Sequence, residues 1–456
     1  MGREGRALHQ DVLRLGAGVF AISAFLSSVA RAQTVADEQP EQEDAATTLP
    51  SPAPPLVITG YVDVGFARAQ GDGTSFPASY AIAPPAGPAD YYVDTFAPAV
   101  NSRGEAASTI FPPGTTAGGF LPRSAAIAGK PSFLINTADV DVRYTAPELP
   151  VLIFTRLQVL PRLTDANGET TRLFLEQAFG RVTPVKSAEL AISIGKFDSV
   201  FGIEYLENEA NFRVGVTPSL LARYTTGQST GVKVFYRRQL IPIASALSLN
   251  VSATNSGTFV EALQGPSRSL TGRPIVAARA GYELNLARVS LKLGASAAYG
   301  PRNDQSASTD AVETLLGVDA RLVAPTLTIS GEYVHVDEEG AEAGSAPIPK
   351  LAGTGPYPEI AEFYAHGFWV QAAEEIPLPV DPLVFRLTVY ARYEQRHGQF
   401  PDYAGASIEV DRITGGVNLG FGDSLQVKAE YLVNRELEGA PQVANDVFAS
   451  SAVWTW

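Results

Sequence analysis

From residue 56 onward, apolar and polar side chains alternate in stretches of roughly ten residues, each closed by a break. In segment 383–396, Phe385, Leu387 and Val389 share one face. Arg386, Thr388, Tyr390 and Arg392 share the other. Segment 424–437 repeats the pattern, with Leu425, Val427, Ala429, Tyr431 and Val433 opposite Gln426, Lys428, Glu430 and Asn434. Segment 273–287 sets Val276, Ala278, Ala280, Tyr282 and Leu284 against Arg279 and Glu283. A side-chain period of two is the signature of a strand, and helical spacing would mix these faces.

The breaks alternate in length. Short ones fall at 146–150, 185–189, 240–245, 287–288, 325, 377–382 and 422–423. Long ones fall at 71–131, 162–170, 198–228, 256–272, 300–311, 338–362, 397–407 and 438–445. Counting the segments between them predicts about sixteen strands, joined by short turns at one end and long loops at the other. This is the pattern of an all-β, transmembrane, antiparallel up-and-down barrel. The last segment, Asp446 to Trp456, carries Phe448, Trp454 and Trp456 on one face with small Ser450 and Ala452 between them. It is expected to close the barrel against the first strand at Leu56 to Gln70, because bare strand edges in lipid leave backbone groups unsatisfied. Tyr144, Tyr282, Tyr333, Tyr431, Trp454 and Trp456 are candidates for aromatic girdles at the membrane interfaces.

The leader and the charge set the compartment. Arg3, Arg6 and Arg14 precede the apolar run Leu15 to Val29, and Ala30-Arg31-Ala32 follows it, so residues 1–32 read as a cleaved signal peptide. Residues 33–55 are an acidic, proline-rich periplasmic tail, and 56–456 form the outer-membrane barrel. There is no cysteine, which excludes disulfides and thiolate metal sites. The net charge of −14 argues against a nucleic-acid partner.

A charged side chain facing lipid at mid-depth costs about 2–4 kcal/mol, so the polar phase of each strand is expected to point inward. That makes Arg143, Arg156, Lys233, Arg237, Arg279, Lys292, Arg321, Arg386, Arg392, Arg412 and Lys428 pore-lining bases. The pore-lining acids are Asp63, Asp139, Asp141, Glu176, Glu283, Asp319, Glu332 and Glu430. Bases outnumber acids in this set, while the outer loops are acidic. The surplus points to a mild anion preference, and the alternative is a network of neutralising pairs that props the barrel open.

Other chemistry is thin. His335, His366 and His397 stand on separate segments with neither HExxH nor i, i+4 spacing, so no metal site is expected from them. Asp165-Ala166-Asn167-Gly168 opens like a calcium loop, lacks the downstream glutamate, and reads as a turn. There is no P-loop, no GxSxG and no GxGxxG after a strand, and neither enzyme activity nor a cofactor is expected.

The stretch Leu175 to Tyr236 resembles the phosphate-selective porin O and P group and related β-barrel porins. The likeness lies in a strand ending Gly195-Lys196-Phe197, the element Phe201-Gly202-Ile203-Glu204 at the start of a long third loop, and the return through Thr230-Gly231-Val232. The tail from Lys428 to Trp456 is similar to the end of this group, and to the C-terminal signal read by barrel-assembly machinery. The resemblance implies a third loop folded inward as a constriction, marked here by Phe201, Glu204, Arg213 and Arg223, and a homotrimer. It also implies a water-filled channel for passive diffusion of small hydrophilic solutes or inorganic anions, set in outer-membrane lipid and lipopolysaccharide. Phosphate-specific members carry a dense ladder of Arg and Lys. Here the loop offers Arg213 and Arg223 against Asp198, Glu204, Glu207 and Glu209. Two other readings are a surface adhesion barrel plugged by loop 71–131, and an outer-membrane lipase using His335 or His397 near the outer rim.

Overall fold

The computed structural model describes residues 55–69, 132–160, 164–165, 168–169, 172–185, 189–241, 244–255, 274–301, 312–339, 363–379, 384–400, 406–437 and 446–456. The leader, nearly all of the acidic tail and loop 71–131 lie outside the described residues, as does the side chain of Arg223.

In chain order the strands are β1 (Leu56–Ala69), β2 (Ser132–Thr145), β3 (Val151–Leu160), β4 (Thr164–Asp165), β5 (Gly168–Glu169), β6 (Arg172–Val185), β7 (Leu190–Asp198), β8 (Gln228–Ile241) and β9 (Ser245–Thr254). They continue as β10 (Ile275–Leu286), β11 (Val289–Pro301), β12 (Val312–Val323), β13 (Leu327–Glu338), β14 (Phe363–Pro379), β15 (Val384–Phe400), β16 (Ala406–Phe421), β17 (Leu425–Glu436) and β18 (Val447–Thr455). Strands β4 and β5 form a small hairpin in which Asp165 pairs Gly168. The other sixteen form one closed ring in which each strand is antiparallel to its chain neighbour and β18 pairs β1.

The alternating pattern sorts itself across the wall. Ile58, Val64, Ile153, Leu175, Ile194, Leu249, Val276, Leu316, Val370 and Val427 are exposed on the outside, although they are large and apolar. Asp63, Asp139, Glu176, Asp319, Arg392 and Lys428 are buried on the inside. That inversion of the usual soluble arrangement is stable where lipid replaces water. The short connections Ala146–Pro150, Ala287–Arg288 and Gly422–Ser424 are tight turns, the last with Gly422 at φ +58°.

Closure rests on a short run of contacts. Val62 pairs Trp454 and Phe66 pairs Ser450. Beyond the end of β18, the Trp456 amide donates to the Gly60 carbonyl at 3.0 Å, and the Gly60 amide donates to the Trp456 carbonyl at 3.2 Å. A Cβ on Gly60 would lie 2.6 Å from the Trp456 indole and 2.3 Å from the Asp139 carbonyl oxygen, so only glycine admits both neighbours. Removing Trp456 is expected to lower the yield of folded, heat-modifiable barrel in the membrane. Wild-type levels after that deletion would show that closure does not depend on this pair.

Candidate functional site

The segment between β7 and β8, residues 199–227, lies inside the ring, and its course can be followed through its hydrogen bonds. It enters over Phe201 and Gly202, whose amide donates to Ser296 Oγ on β11 at 3.0 Å. Gly202 has φ +75°, and a Cβ there would strike the carboxylate of Glu332 on β13. Arg321 on β12 then donates to Glu207 at 2.8 Å. Two residues later Glu209 meets the far side: Tyr61 on β1 donates to it at 2.6 Å, and Arg156 on β3 pairs with it at 2.8 Å. Strands β3 and β12 stand nearly opposite in the ring, so the loop crosses the lumen between Glu207 and Glu209.

The return limb is held by its backbone. Lys428 on β17 donates to the carbonyls of Ala210, at 2.5 Å, of Arg213 and of Gly215. Gln426 donates to the Asn211 carbonyl at 2.9 Å and Asn418 to that of Val214 at 3.2 Å. The Val216 amide donates to Glu430 at 2.7 Å, and Glu430 also accepts from the Tyr390 hydroxyl. Arg392 on β15 donates to the Thr217 and Pro218 carbonyls at 3.1 and 3.0 Å, and Arg412 on β16 reaches the Pro218 carbonyl at 3.3 Å. Between those arginines lies Glu394, which accepts from Arg392 at 2.6 Å, from Arg412 at 3.1 Å and from the Leu220 amide at 2.5 Å. The limb then sinks Leu220, Leu221 and Tyr224 against Leu315, Val334, Val336 and Trp369 of the wall. Glu204 ties the two limbs together by accepting from the Ser219 amide at 2.6 Å and its hydroxyl at 2.5 Å. Burial pushes the Glu204 carboxyl up, and the Ser219 donors and Arg392 hold it down less strongly.

The structure divides the proposed lining residues into two groups. Arg156, Arg392, Arg412, Lys428, Asp139, Glu176, Glu332 and Glu430 point inward but are covered, most of them by contacts to the loop. Lys233 is buried as well, with its ammonium 5.4 Å from the centre of the Phe197 ring. Arg279 and Asp319 form a pair at 2.7 Å. Arg143, Arg237, Lys292, Arg321, Asp141 and Glu283 are half-exposed, and Arg386 is exposed. Arg237 reaches Glu283 at 2.8 Å, and Arg386 stands 3.8 Å from Asp423. Of the constriction residues, Phe201 and Glu204 are buried under the loop, while half-buried Arg213 donates to the Asn208 carbonyl at 3.0 Å.

Several residues at this site went unread in the sequence. Glu394 and Arg396 continue the inward phase of Arg392, and extending the alternation by two and four residues finds both. Glu207 and Glu209 were named on the loop that the resemblance folds inward, but no periodicity assigns a loop residue its partners on the wall. Asp139, Glu176 and Glu209 bring carboxylate oxygens within 4.8 Å of one another, with Arg156 as the cation beside them. The three histidines all lie on the outer face of the wall.

No family model matches the chain, and no curated protein matches it. Solved structures do match. The outer membrane channel DcaP of Acinetobacter baumannii is 12% identical, with 88% of this chain and 97% of that chain covered and a TM-score of 0.48. Salmonella typhi OmpF in complex with daunomycin is 11% identical over 88% and 97%, with a TM-score of 0.48. An anion-selective porin from Comamonas acidovorans is 7% identical over 88% and 99%, with a TM-score of 0.45. The closed ring, its outward apolar surface and its alternating short turns and long loops are the outer-membrane solution to crossing a bilayer with strands. With a charged interior crossed by a fastened loop, the chain has the architecture of a sixteen-stranded outer-membrane β-barrel.

Proposed function

We infer that the chain is a passive, water-filled channel for small hydrophilic solutes and ions, and not a catalyst. The observation that carries this reading is the inward loop. It crosses a polar lumen from Arg321 to Arg156 and is fixed to the wall on both sides, which narrows the interior. A homotrimer belongs to the same reading, on the strength of the loop motif, as do lipid, lipopolysaccharide and the barrel-assembly machinery as partners.

The selectivity proposed is a mild anion preference, located toward the short-turn end. There the water-reached inward bases Arg143, Arg181, Arg237, Lys292, Arg321 and Arg386 face Asp141, Glu189, Glu207 and Glu283. Most of these groups sit beside an opposite charge, and salt screens what remains within about 10 Å at 0.1 M. The preference should therefore be weak and fade as ionic strength rises. In a planar bilayer the purified protein is expected to give stepwise ohmic currents, with a zero-current potential on the anion side in dilute KCl. Changing Arg143, Arg181 and Arg386 together to glutamate should move that potential to the cation side. A silent bilayer would favour the plugged barrel, and a cation-selective wild type would place control in the acidic outer loops.

A further inference from the structure

Three of the four histidines in this chain, far apart in sequence, stand in one line on the barrel's outer surface. His335 on β13 is directly opposite His366 on β14, and His366 is directly opposite His397 on β15. Next along the line, on β16, His397 faces Glu409. His366 is exposed, and its two neighbours are half-exposed. The His366 and His397 rings have centroids 5.0 Å apart at an interplanar angle of 31°.

The depth of this row follows from what lies beneath it. One outward step toward the short-turn end brings Tyr333, paired with Phe368, and then Tyr393, whose ring is 5.8 Å from that of Phe368. Aromatic side chains of this kind settle at the edge of the hydrocarbon. The histidines are the next row out, at headgroup level and open to water.

We propose that His366 and His397, with His335 or Glu409 as a third ligand, form a surface site for a divalent d-block cation such as Zn²⁺ or Cu²⁺. Neutral imidazole is the side chain that binds these ions most often. Neighbouring strands about 4.8 Å apart carry two such rings on one face without backbone movement. An ion held about 2.0–2.1 Å from a nitrogen of each ring lies about 3 Å from each ring centre, so rings spaced as these are can share it at close to a tetrahedral angle. The rings are nearer to stacked than to convergent. Ligation therefore takes rotation about the Cβ–Cγ bonds, which an outward-facing row permits. Glu409 accepts from Gln395 at 2.8 Å, so as a ligand it would exchange that bond for the metal. Water fills the remaining positions. The nearby charges on the same face are Asp337, Glu409 and Asp411, opposed by Arg435, so the surroundings favour a cation.

The test uses the full-length purified protein in detergent, titrated with Zn²⁺ by calorimetry and with Cu²⁺ by electron paramagnetic resonance. The wild type should bind Zn²⁺ in the micromolar range, and bound Cu²⁺ should show nitrogen hyperfine splitting. His366→Ala and His397→Ala should each weaken binding by tenfold or more, and the double variant should lose the nitrogen splitting given by the wild type. Heat-modifiable migration shows whether each variant is folded, and H366Q/H397Q keeps polarity and shape if alanine does not fold. Equal affinity in a folded double variant would overturn the proposal by placing the ion elsewhere. Failure of the wild type to bind Zn²⁺ would overturn it outright, whatever the bilayer currents show.

Discussion

Replacing Glu394 with alanine is expected to release the return limb of the inward loop and to cost about 3–5 kcal/mol, the range for breaking a buried ion pair from one side. Glu394 is fully buried between Arg392 and Arg412, and it also accepts from the Leu220 amide. Without it two guanidinium groups remain beneath the loop with carbonyls as partners and no counter-charge between them. Thermal unfolding in detergent should shift downward, and single-channel records should become noisy and larger as residues 217–220 leave the wall. Glu394→Gln keeps the shape and should fall between the two. Unchanged unfolding and quiet, wild-type currents in the alanine variant would mean that Lys428 and the apolar seat of Leu220 and Leu221 hold the limb by themselves.

A larger change in current is expected from shortening the loop. Glu204 grips Ser219, so the chain passes close to itself there. Residues 206–217 can then be cut out and the ends joined through two glycines without disturbing Phe201 or Tyr224. The excised part includes Glu207 and Glu209, whose contacts carry the loop across the lumen. Conductance should rise several-fold, and larger sugars should enter proteoliposomes faster. If conductance stays the same, the narrowest part of the path lies elsewhere.

The strand framework was readable because its cause is local. Two-residue alternation needs only neighbours in sequence, and turns such as Ala287–Arg288 and Gly422–Ser424 announce themselves by interrupting it. The inward direction of Arg392, Arg412 and Lys428 followed from the same alternation. Their role did not. All three serve the loop, through carbonyls near residues 210–218, and no spacing rule links Lys428 to Ala210. A strand-by-strand count of charge likewise omits Glu207, Glu209 and Glu394, which bring negative charge to the interior. The histidine row escaped for a related reason: a direct alignment across three strands depends on the register of each hairpin, which accumulates from turn to turn.

The fastening of the loop also orders events during assembly. Ala210 and its lysine are 218 residues apart in the chain, and Tyr61 and Glu209 are 148 apart. The loop is therefore made well before β15, β16 and β17, and its return limb cannot be seated until those late strands have arrived. Contacts of such separation are entropically costly to form and slow to appear. A nearly complete barrel would thus pass through a stage with its wall zipped and its loop adrift, wider inside than the finished protein.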